Sequence, residues 1–162
     1  MKSVTPLNTV FFDLGATLVD PQFTPAGAFS GFTELPGTRE GLQKLSAAKL
    51  HLGIISNTGD IDPRAVRAAL TKIKLLTFFT DKLILLSGEV HLDKSTPAIF
   101  RLAVKRAGAE AAPGSCIFVG EDPAERLTAR KAKLHTSSTL AALLKTVGTK
   151  KPVGLTKRSK LQ

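Results

Sequence analysis

Residues 9–18 read TVFFDLGATL, an apolar run that stops at a single acidic residue. The first four residues favour a buried strand, because a strand covered on both faces is apolar at successive positions. Asp13 follows where that strand would end, and a short segment containing Gly15 comes after it. The stretch therefore predicts a carboxylate held at the carboxyl end of a buried strand.

Similar apolar runs recur along the chain, at residues 51–56, 82–86, 116–120 and, more briefly, 134–136. Segments of helical period lie between them, and three of these segments begin with a capping residue followed by proline, at Asp62-Pro63, Thr96-Pro97 and Asp122-Pro123. Strands that alternate with helices are typical of parallel sheets. We therefore expect an α/β fold, a three-layer α/β/α Rossmann-like domain with a central parallel sheet of about five strands.

Polar residues follow several of the predicted strands. Ser56 and Asn57 come at the end of residues 51–56, and they supply a hydroxyl and an amide where a phosphate oxygen could rest. Lys94 lies in a loop region after another strand, and its ammonium could offset the charge of a bound phosphate. Because ligands of parallel sheets bind beyond the carboxyl ends of the strands, these side chains are expected to share one crevice.

An acidic group follows the fourth apolar run and consists of Glu121, Asp122 and Glu125. Carboxylate oxygens are ligands that suit Mg²⁺, which keeps several of its waters when bound. Acidic residues in a first helical turn also complement the helix dipole without binding any metal. The sequence therefore leaves a metal site and a helix-stabilising role both open for this group.

These four segments, in this order, resemble the four signature motifs of the haloacid dehalogenase superfamily over roughly residues 9–144. Residues 12–20 look like the first motif, and Asp13 stands at the nucleophile position. Ser56 matches the second motif, and residues 94–100, KSTPAIF, are similar to the third. Residues 119–125 resemble the fourth motif, with Glu in place of Asp at both acidic positions.

The resemblance implies a magnesium-dependent phosphatase that works through an aspartyl-phosphate on Asp13. In such an enzyme Lys94 would assist catalysis, and the residues that bind the phosphoryl oxygens would be Ser56, Asn57 and Lys94. The residues expected to hold Mg²⁺ are Asp13, the carbonyl of Gly15 and Glu121, with Glu125 or Asp122 in support. Thr17 is expected to support the geometry of the nucleophile loop.

Gly15 departs from the family pattern, because the family's phosphatases usually carry a second Asp there as general acid and base. Such acid-base assistance is typically worth about 10²–10⁴ in rate. The alternative to a phosphatase is therefore a catalytically weak or inactive module that binds phosphate or a partner. Carbon-halogen hydrolysis, which by resemblance uses no magnesium and a capped apolar site, is disfavoured.

We expect residues 1–147 to form one hydrolase domain without a cap domain, because only a flap of residues 20–38 follows the first strand. Three aromatic side chains in this flap, Phe23, Phe29 and Phe32, could either cover a substrate or pack the flap against the domain. Residues 148–162 mix Gly, Pro, Lys, Thr and Ser without apolar period, so they are expected to form a basic, disordered tail.

The single cysteine, Cys116, excludes a disulfide within one chain. With no membrane-spanning window in the sequence, a cytoplasmic protein is expected. Of the charged side chains, residues 1–125 hold 13 acidic and 13 basic ones, whereas residues 126–162 hold 10 basic and none acidic, which gives the net +10. The expected partners are a phosphorylated small molecule or a phosphate exposed on a macromolecule, a second copy of the chain and, through the basic end, weakly bound nucleic acid.

Overall fold

The computed structural model of the chain describes residues 5–147, so the tail predicted at 148–162 lies outside the described residues. The described residues form seven strands: β1 (Thr9–Phe12), β2 (Val19–Phe23), β3 (Phe29–Glu34), β4 (His51–Ser56), β5 (Ile84–Leu86), β6 (Cys116–Val119) and β7 (His135–Ser137). They also form six helices: α1 (Thr38–Ala47), α2 (Pro63–Lys72), α3 (Ser87–Val90), α4 (Ala98–Arg106), α5 (Pro123–Lys131) and α6 (Leu140–Val147).

Five of the strands form one parallel sheet in the order β5-β4-β1-β6-β7. The central strand β1 pairs with β4 from Thr9↔His51 to Phe12↔Ile54, and with β6 from Thr9↔Cys116 to Phe12↔Val119. The carboxyl ends of these strands therefore meet at one edge. The predicted α/β fold with a five-stranded parallel sheet is confirmed.

Successive residues of β1 face opposite sides of the sheet, and both sides are covered. Val10 and Phe12 belong to a core shared with α1, α2 and α6, whereas Phe11 belongs to a second core shared with α4 and α5. All three side chains are fully buried. Burying one such side chain contributes about 1.5–3 kcal/mol, so the apolar run ties both helical layers to the sheet.

Two of the three predicted helix caps are confirmed. The Asp62 carboxylate accepts a hydrogen bond from Arg64 N at 2.8 Å, and Asp122 accepts one from Ala124 N at 2.8 Å. The cap predicted at Thr96 is wrong: α4 begins at Ala98, and Pro97 precedes it without a side-chain hydrogen bond. Pro97 already has helix-like backbone angles, so the chain enters this helix through the turn before it.

The ends of the observed strands differ from the predicted ones by one or two residues. The run at 82–86 yields β5 only from Ile84, because a 3-10 turn occupies Asp81–Leu83 and Leu83 N donates to Thr80 O. The run at 116–120 ends at Val119, and the short run near 134–136 becomes β7 at His135–Ser137. No helix among residues 5–147 is both long enough and apolar enough to cross a membrane.

The flap predicted at 20–38 is an antiparallel hairpin of β2 and β3, and it ends where α1 begins at Thr38. The Thr38 hydroxyl anchors that end by donating to Leu18 O at 2.8 Å. The hairpin lies along α2 and encloses with it an open cavity of about 510 Å³. Phe23, Phe29 and Phe32 stack edge to face on the hairpin, and Phe23 is 53% exposed.

Candidate active site

The backbone fixes Asp13 beside the end of β6. Asp13 N donates to Val119 O at 2.9 Å, which extends the pairing of β1 and β6 by one residue. The chain then turns tightly, because the carbonyl of Leu14 accepts hydrogen bonds from the amides of residues 17, 18 and 19. Leu14 and Leu18 are buried and anchor this turn. The Asp13 side chain is left 14% exposed at the carboxyl edge of the sheet.

Lys94 links Asp13 to the acidic segment. Its Nζ lies 2.6 Å from Asp13 Oδ1 and 2.8 Å from Glu125 Oε2, and its side chain is only 2% exposed. The Phe118 ring lies beneath the ammonium, with its centroid 5.7 Å from Nζ. A buried ammonium is costly unless it is paired, so this position has to be held by the two carboxylates.

Burial raises the pKa of Glu125, and the neighbouring charge of Asp13 adds to that effect. Close contact with the positively charged Lys94 ammonium acts in the opposite direction. Proton loss from Glu125 is thus opposed by its burial and favoured by the lysine. Burial has the largest effect, and the pKa of Glu125 stays above its usual value.

Ser56 is the last residue of β4, which pairs with β1 beside Asp13, and Asn57 follows it. Ser56 is 7% exposed, whereas Asn57 is exposed. The side-chain carbonyl of Asn57 accepts a hydrogen bond from Lys94 N at 3.0 Å. Asn57 therefore holds the backbone of the lysine through its side-chain oxygen.

A second set of hydrogen bonds ties the end of β4 to the start of α3. Thr58 N donates to Ser87 Oγ at 2.9 Å, and Gly88 N donates to Thr58 Oγ1 at 3.1 Å. Thr58 is buried. These hydrogen bonds thereby fix the chain just after Ser56 and Asn57 to the start of α3.

The three acids of the segment, Glu121, Asp122 and Glu125, have different surroundings. Asp122 caps α5, and both Glu121 and Asp122 are exposed, so of the three acids only Glu125 reaches Lys94. The segment still lies close to Asp13, since a Cβ built on Gly120 would sit 3.4 Å from the Asp13 Cβ. Arg126 holds its backbone by donating to Gly120 O at 2.8 Å and to Glu121 O at 2.6 Å.

The donors at this edge fit a hard divalent cation. Mg²⁺ takes oxygen ligands, usually one or two carboxylates, and fills the remaining positions with water or phosphate oxygens. Within residues 5–147 no three His, Cys, Asp or Glu side chains come together. Glu125 Oε2 is buried, and no donor of the described chain is aligned for a hydrogen bond to it, although Lys94 Nζ is near. Asp13 and Glu125 would thus supply the one or two carboxylates that such an ion usually takes from a protein.

The two remaining predicted residues, Gly15 and Thr17, lie in the turn that follows Asp13. The Thr17 hydroxyl is buried and has no hydrogen-bond partner in the described part of the chain. A Cβ built on Gly15 would meet nothing nearer than the Pro21 side chain, at 4.0 Å. The loop therefore has room for a side chain at position 15, and the glycine is not required by packing.

Sequence reasoning missed the residues that support the site. Phe118 lies under Lys94, Arg126 holds the acidic segment, and Thr58 and Ser87 fix the loop after β4. Phe118 reads as an ordinary strand residue, and Arg126 as one more basic residue on a polar helix. Only the Ser and Thr residues beside predicted strand ends gave a signal, because such hydroxyls often bond to neighbouring backbone.

A sequence model of the haloacid dehalogenase-like hydrolases matches residues 24–133. That range includes Ser56, Lys94 and Glu125, whereas Asp13 precedes it. No curated protein matches the chain significantly.

Several solved structures are similar to the chain at low sequence identity. A predicted phosphoglycolate phosphatase from Haemophilus somnus superposes with a TM-score of 0.69 at 15% identity, over 88% of this chain and 99% of its own. A hydrolase from Streptococcus pneumoniae superposes with a TM-score of 0.69 at 13% identity, and the match covers 89% of this chain and 100% of its own. A HAD-superfamily hydrolase from Ehrlichia chaffeensis superposes with a TM-score of 0.67 at 13% identity, and the match covers 89% of this chain and 98% of its own. At this identity the likeness is one of fold.

Proposed function

The chain belongs to the haloacid dehalogenase-like hydrolases, and on that premise we propose that it is a magnesium-dependent phosphomonoesterase whose nucleophile is Asp13. The observation that carries the proposal is the buried Lys94, whose ammonium contacts both Asp13 and Glu125. Such an arrangement suits a site where two anions, a carboxylate and a phosphate, have to approach each other.

In the proposed reaction a carboxylate oxygen of Asp13 attacks phosphorus, and the bond from phosphorus to the ester oxygen breaks. The resulting acyl phosphate on Asp13 is then cleaved by water, which releases inorganic phosphate and restores the carboxylate. Splitting the displacement in this way replaces one difficult step by two easier ones. Lys94 holds Asp13 Oδ1 at 2.6 Å, so the lysine also fixes the direction of the carboxylate.

We propose that Asp13, the carbonyl of Gly15 and Glu121 hold the metal, with Glu125 or Asp122 in support. When bound, Mg²⁺ would supply charge neutralisation and orientation for the phosphate. Ser56, the NH₂ group of Asn57 and Lys94 are proposed to bind the phosphoryl oxygens, and Thr17 to support the loop.

The leaving oxygen needs a proton, and Gly15 supplies none. We therefore propose that the enzyme acts best on esters whose leaving group is stable without protonation. The insertion after β1 is a hairpin of residues 19–34, which supports a site without a cap domain. A site without a cap domain suits a phosphate presented on a large molecule.

A second candidate function is a module that binds phosphate or a partner without turning it over. The observation that favours it is Gly15 itself, since the position has room for an acid and lacks one. In that case the charges of Asp13 and Lys94 would serve recognition alone.

Hydrolysis of acetyl phosphate and para-nitrophenyl phosphate, measured with magnesium and with chelator, tests the proposal. We expect magnesium-dependent turnover that is lost in Asp13→Asn and kept in Asp20→Asn, an exposed neighbour on the flap. Equal background in all samples would contradict a phosphatase and support the binding module.

A further inference from the structure

The outer surface of α4 and α5 carries a concentration of positive charge. Its exposed basic side chains, here called the basic face, are Arg101, Lys105, Arg130, Lys131 and Lys133. Residues 98–109 and 126–147 contain no acidic residue at all. The nearby acids Glu121, Asp122 and Glu125 lie at the other end of α5, in or before its first turn. Charge is therefore separated along this helix.

Three residues of the basic face meet at one place. Arg101, Lys131 and Lys133 line a common cavity of about 330 Å³, although they come from α4 and from the end of α5. Among the ion pairs of residues 5–147, none involves any of these three side chains. Glu110 is the one acid that lines the cavity. The cavity is thus lined by more positive than negative side chains, and the excess is not neutralised by the protein itself.

The composition of the surface indicates what kind of anion it suits. Proteins that bind single-stranded nucleic acid stack bases on aromatic side chains, and none of the five residues or of the side chains that line the cavity is aromatic. Membrane-surface helices insert several large apolar side chains, whereas α5 exposes Leu127 alone of this kind. Basic side chains without aromatics match the phosphate backbone of a duplex, which is bound through charge.

We propose that the basic face binds the phosphate backbone of a nucleic-acid duplex without reading its sequence. The proposal does not depend on catalysis, because none of its residues belongs to the Asp13 site. Residues 148–162 add five basic residues and no acid, so the full chain is the form to test. Binding of this origin weakens as salt rises, with a slope of log affinity against log salt of about 0.9 for each phosphate neutralised.

The test is fluorescence anisotropy of a labelled duplex and of one of its single strands, together with co-sedimentation with phosphatidylserine vesicles, each titrated with the full chain at several salt concentrations. The variant Arg101→Glu/Lys131→Glu/Lys133→Glu reverses the charges around the cavity. Its control, Lys44→Glu/Lys49→Glu/Lys72→Glu, makes the same charge change at exposed sites on the opposite helical layer. Lys49 and Lys133 both have a left-handed backbone after a helix, so the two variants are matched there as well. Circular dichroism confirms that each variant is folded.

We expect the duplex to bind more tightly than the single strand or the vesicles. The cavity variant should lose at least tenfold in duplex affinity and about three units of salt slope, while the control should lose much less. An Asp13→Asn chain should bind the duplex unchanged. Equal losses in the two triple variants, or no loss in either, would overturn the proposal. Tighter binding of vesicles or of the single strand would overturn the assignment to a duplex.

Discussion

Lys94 shows how one residue connects the charged groups of this site. Its ammonium is buried between Asp13 and Glu125, and its backbone N–H is held by Asn57. Removing one member of a buried charge set leaves the others uncompensated, which typically costs about 3–5 kcal/mol. The site is therefore a connected unit in which each charged residue depends on the others.

The first prediction concerns position 15, in the turn that follows Asp13. Gly15→Asp should fit, because a Cβ there meets nothing within 4.0 Å except the edge of Pro21 and the backbone angle is not left-handed. The added acid should raise kcat for esters with poor leaving groups, by up to about 10²–10⁴. Acetyl phosphate, which has a good leaving group, should gain little. Gly15→Asn has the same size without the acid, and an equal gain in that variant would count against the role of the proton.

The second prediction concerns Asn57. Asn57→Ala removes the hydrogen bond to Lys94 N, so the lysine should lose its position and kcat should fall by about tenfold to 10². Asn57→Asp keeps the acceptor and loses the NH₂ group, so it should largely keep kcat and raise KM. Steady-state kinetics on acetyl phosphate separate the two effects. If both variants raise only KM, Asn57 contacts substrate and does not position the lysine.

At the same scale, the sequence alone singled out Asp13 and Lys94, which the fold brings together, because each stands beside a strand end or a helix start. It did not reveal that Asn57 faces Lys94, that Arg126 holds the acidic segment or that Phe118 lies under the ammonium. These contacts join residues far apart in the chain through side chains whose identity is compatible with many ordinary roles. Spacing therefore carried no information about them.

At the scale of elements, close packing across the sheet limits what β4 can carry. A Cβ on Gly53 would sit 2.5 Å from the Leu83 carbonyl oxygen and 2.7 Å from the Phe11 ring. A backbone atom has little freedom to move aside. The strand therefore needs glycine at this position.

The third prediction follows from that contact. Gly53→Ala should destabilise the fold by about 1–3 kcal/mol, as overpacking in a core does. For a chain of this size each kcal/mol lowers Tm by about 2–4 °C, which a thermal melt resolves. Gly114→Ala is the matched control, because its Cβ would meet only the His135 ring at an ordinary 3.5 Å. The same melting temperature for the two variants would contradict the packing described for β4.

The fourth prediction concerns Arg67, which links α2 to α3 and to the turn before β5. Arg67 contacts Glu89 through Nε at 2.8 Å and Nη2 at 2.9 Å, and Asp81 through Nη1 at 3.0 Å. The hydrogen bonds from Arg67 hold the pKa of Glu89 below its usual value. The unfolded chain then binds more protons as pH falls, so the contribution of Glu89 is complete at neutral pH and is lost as pH drops through its lowered pKa.

Glu89→Gln should therefore be less stable than the wild type at neutral pH, by less than about 1 kcal/mol because solvent screens this partly exposed pair. The difference should disappear in acid. Denaturant unfolding at a series of pH values measures it, and Asp81→Asn, at a side chain 93% exposed, should show a smaller effect. A difference that stays constant with pH would show that the pairing is not its cause.

Most of the sheet could be predicted from sequence because its strands are continuous apolar runs that end at turns. The hairpin of β2 and β3 could not, because Pro21, Gly27 and Gly31 interrupt any alternation, and its strands read VDPQF and FSGFTE. The Thr96 cap failed because a Thr before Pro is compatible both with a cap and with a preceding turn. Local composition predicts strands buried on both faces well, and surface hairpins poorly.

For the molecule as a whole, the parallel sheet divides the charges. At the carboxyl edge Asp13 and Glu125 lie against Lys94, whereas the basic face lies along α4 and α5. A phosphate ester attached to a polyanion would be attracted by the second region and could be presented to the first. The uneven charge of the sequence is thus divided between a proposed catalytic edge and a proposed binding face.

The central claim is that Asp13 becomes phosphorylated, and trapping that species tests it most directly. The chain is incubated with acetyl phosphate and magnesium, quenched with borohydride, which reduces an acyl phosphate to an alcohol, and sequenced by mass spectrometry. We predict homoserine at position 13 in the wild type, none in Asp13→Asn, and none when magnesium is chelated. Turnover without any modification at position 13, or modification at another carboxylate, would contradict the account.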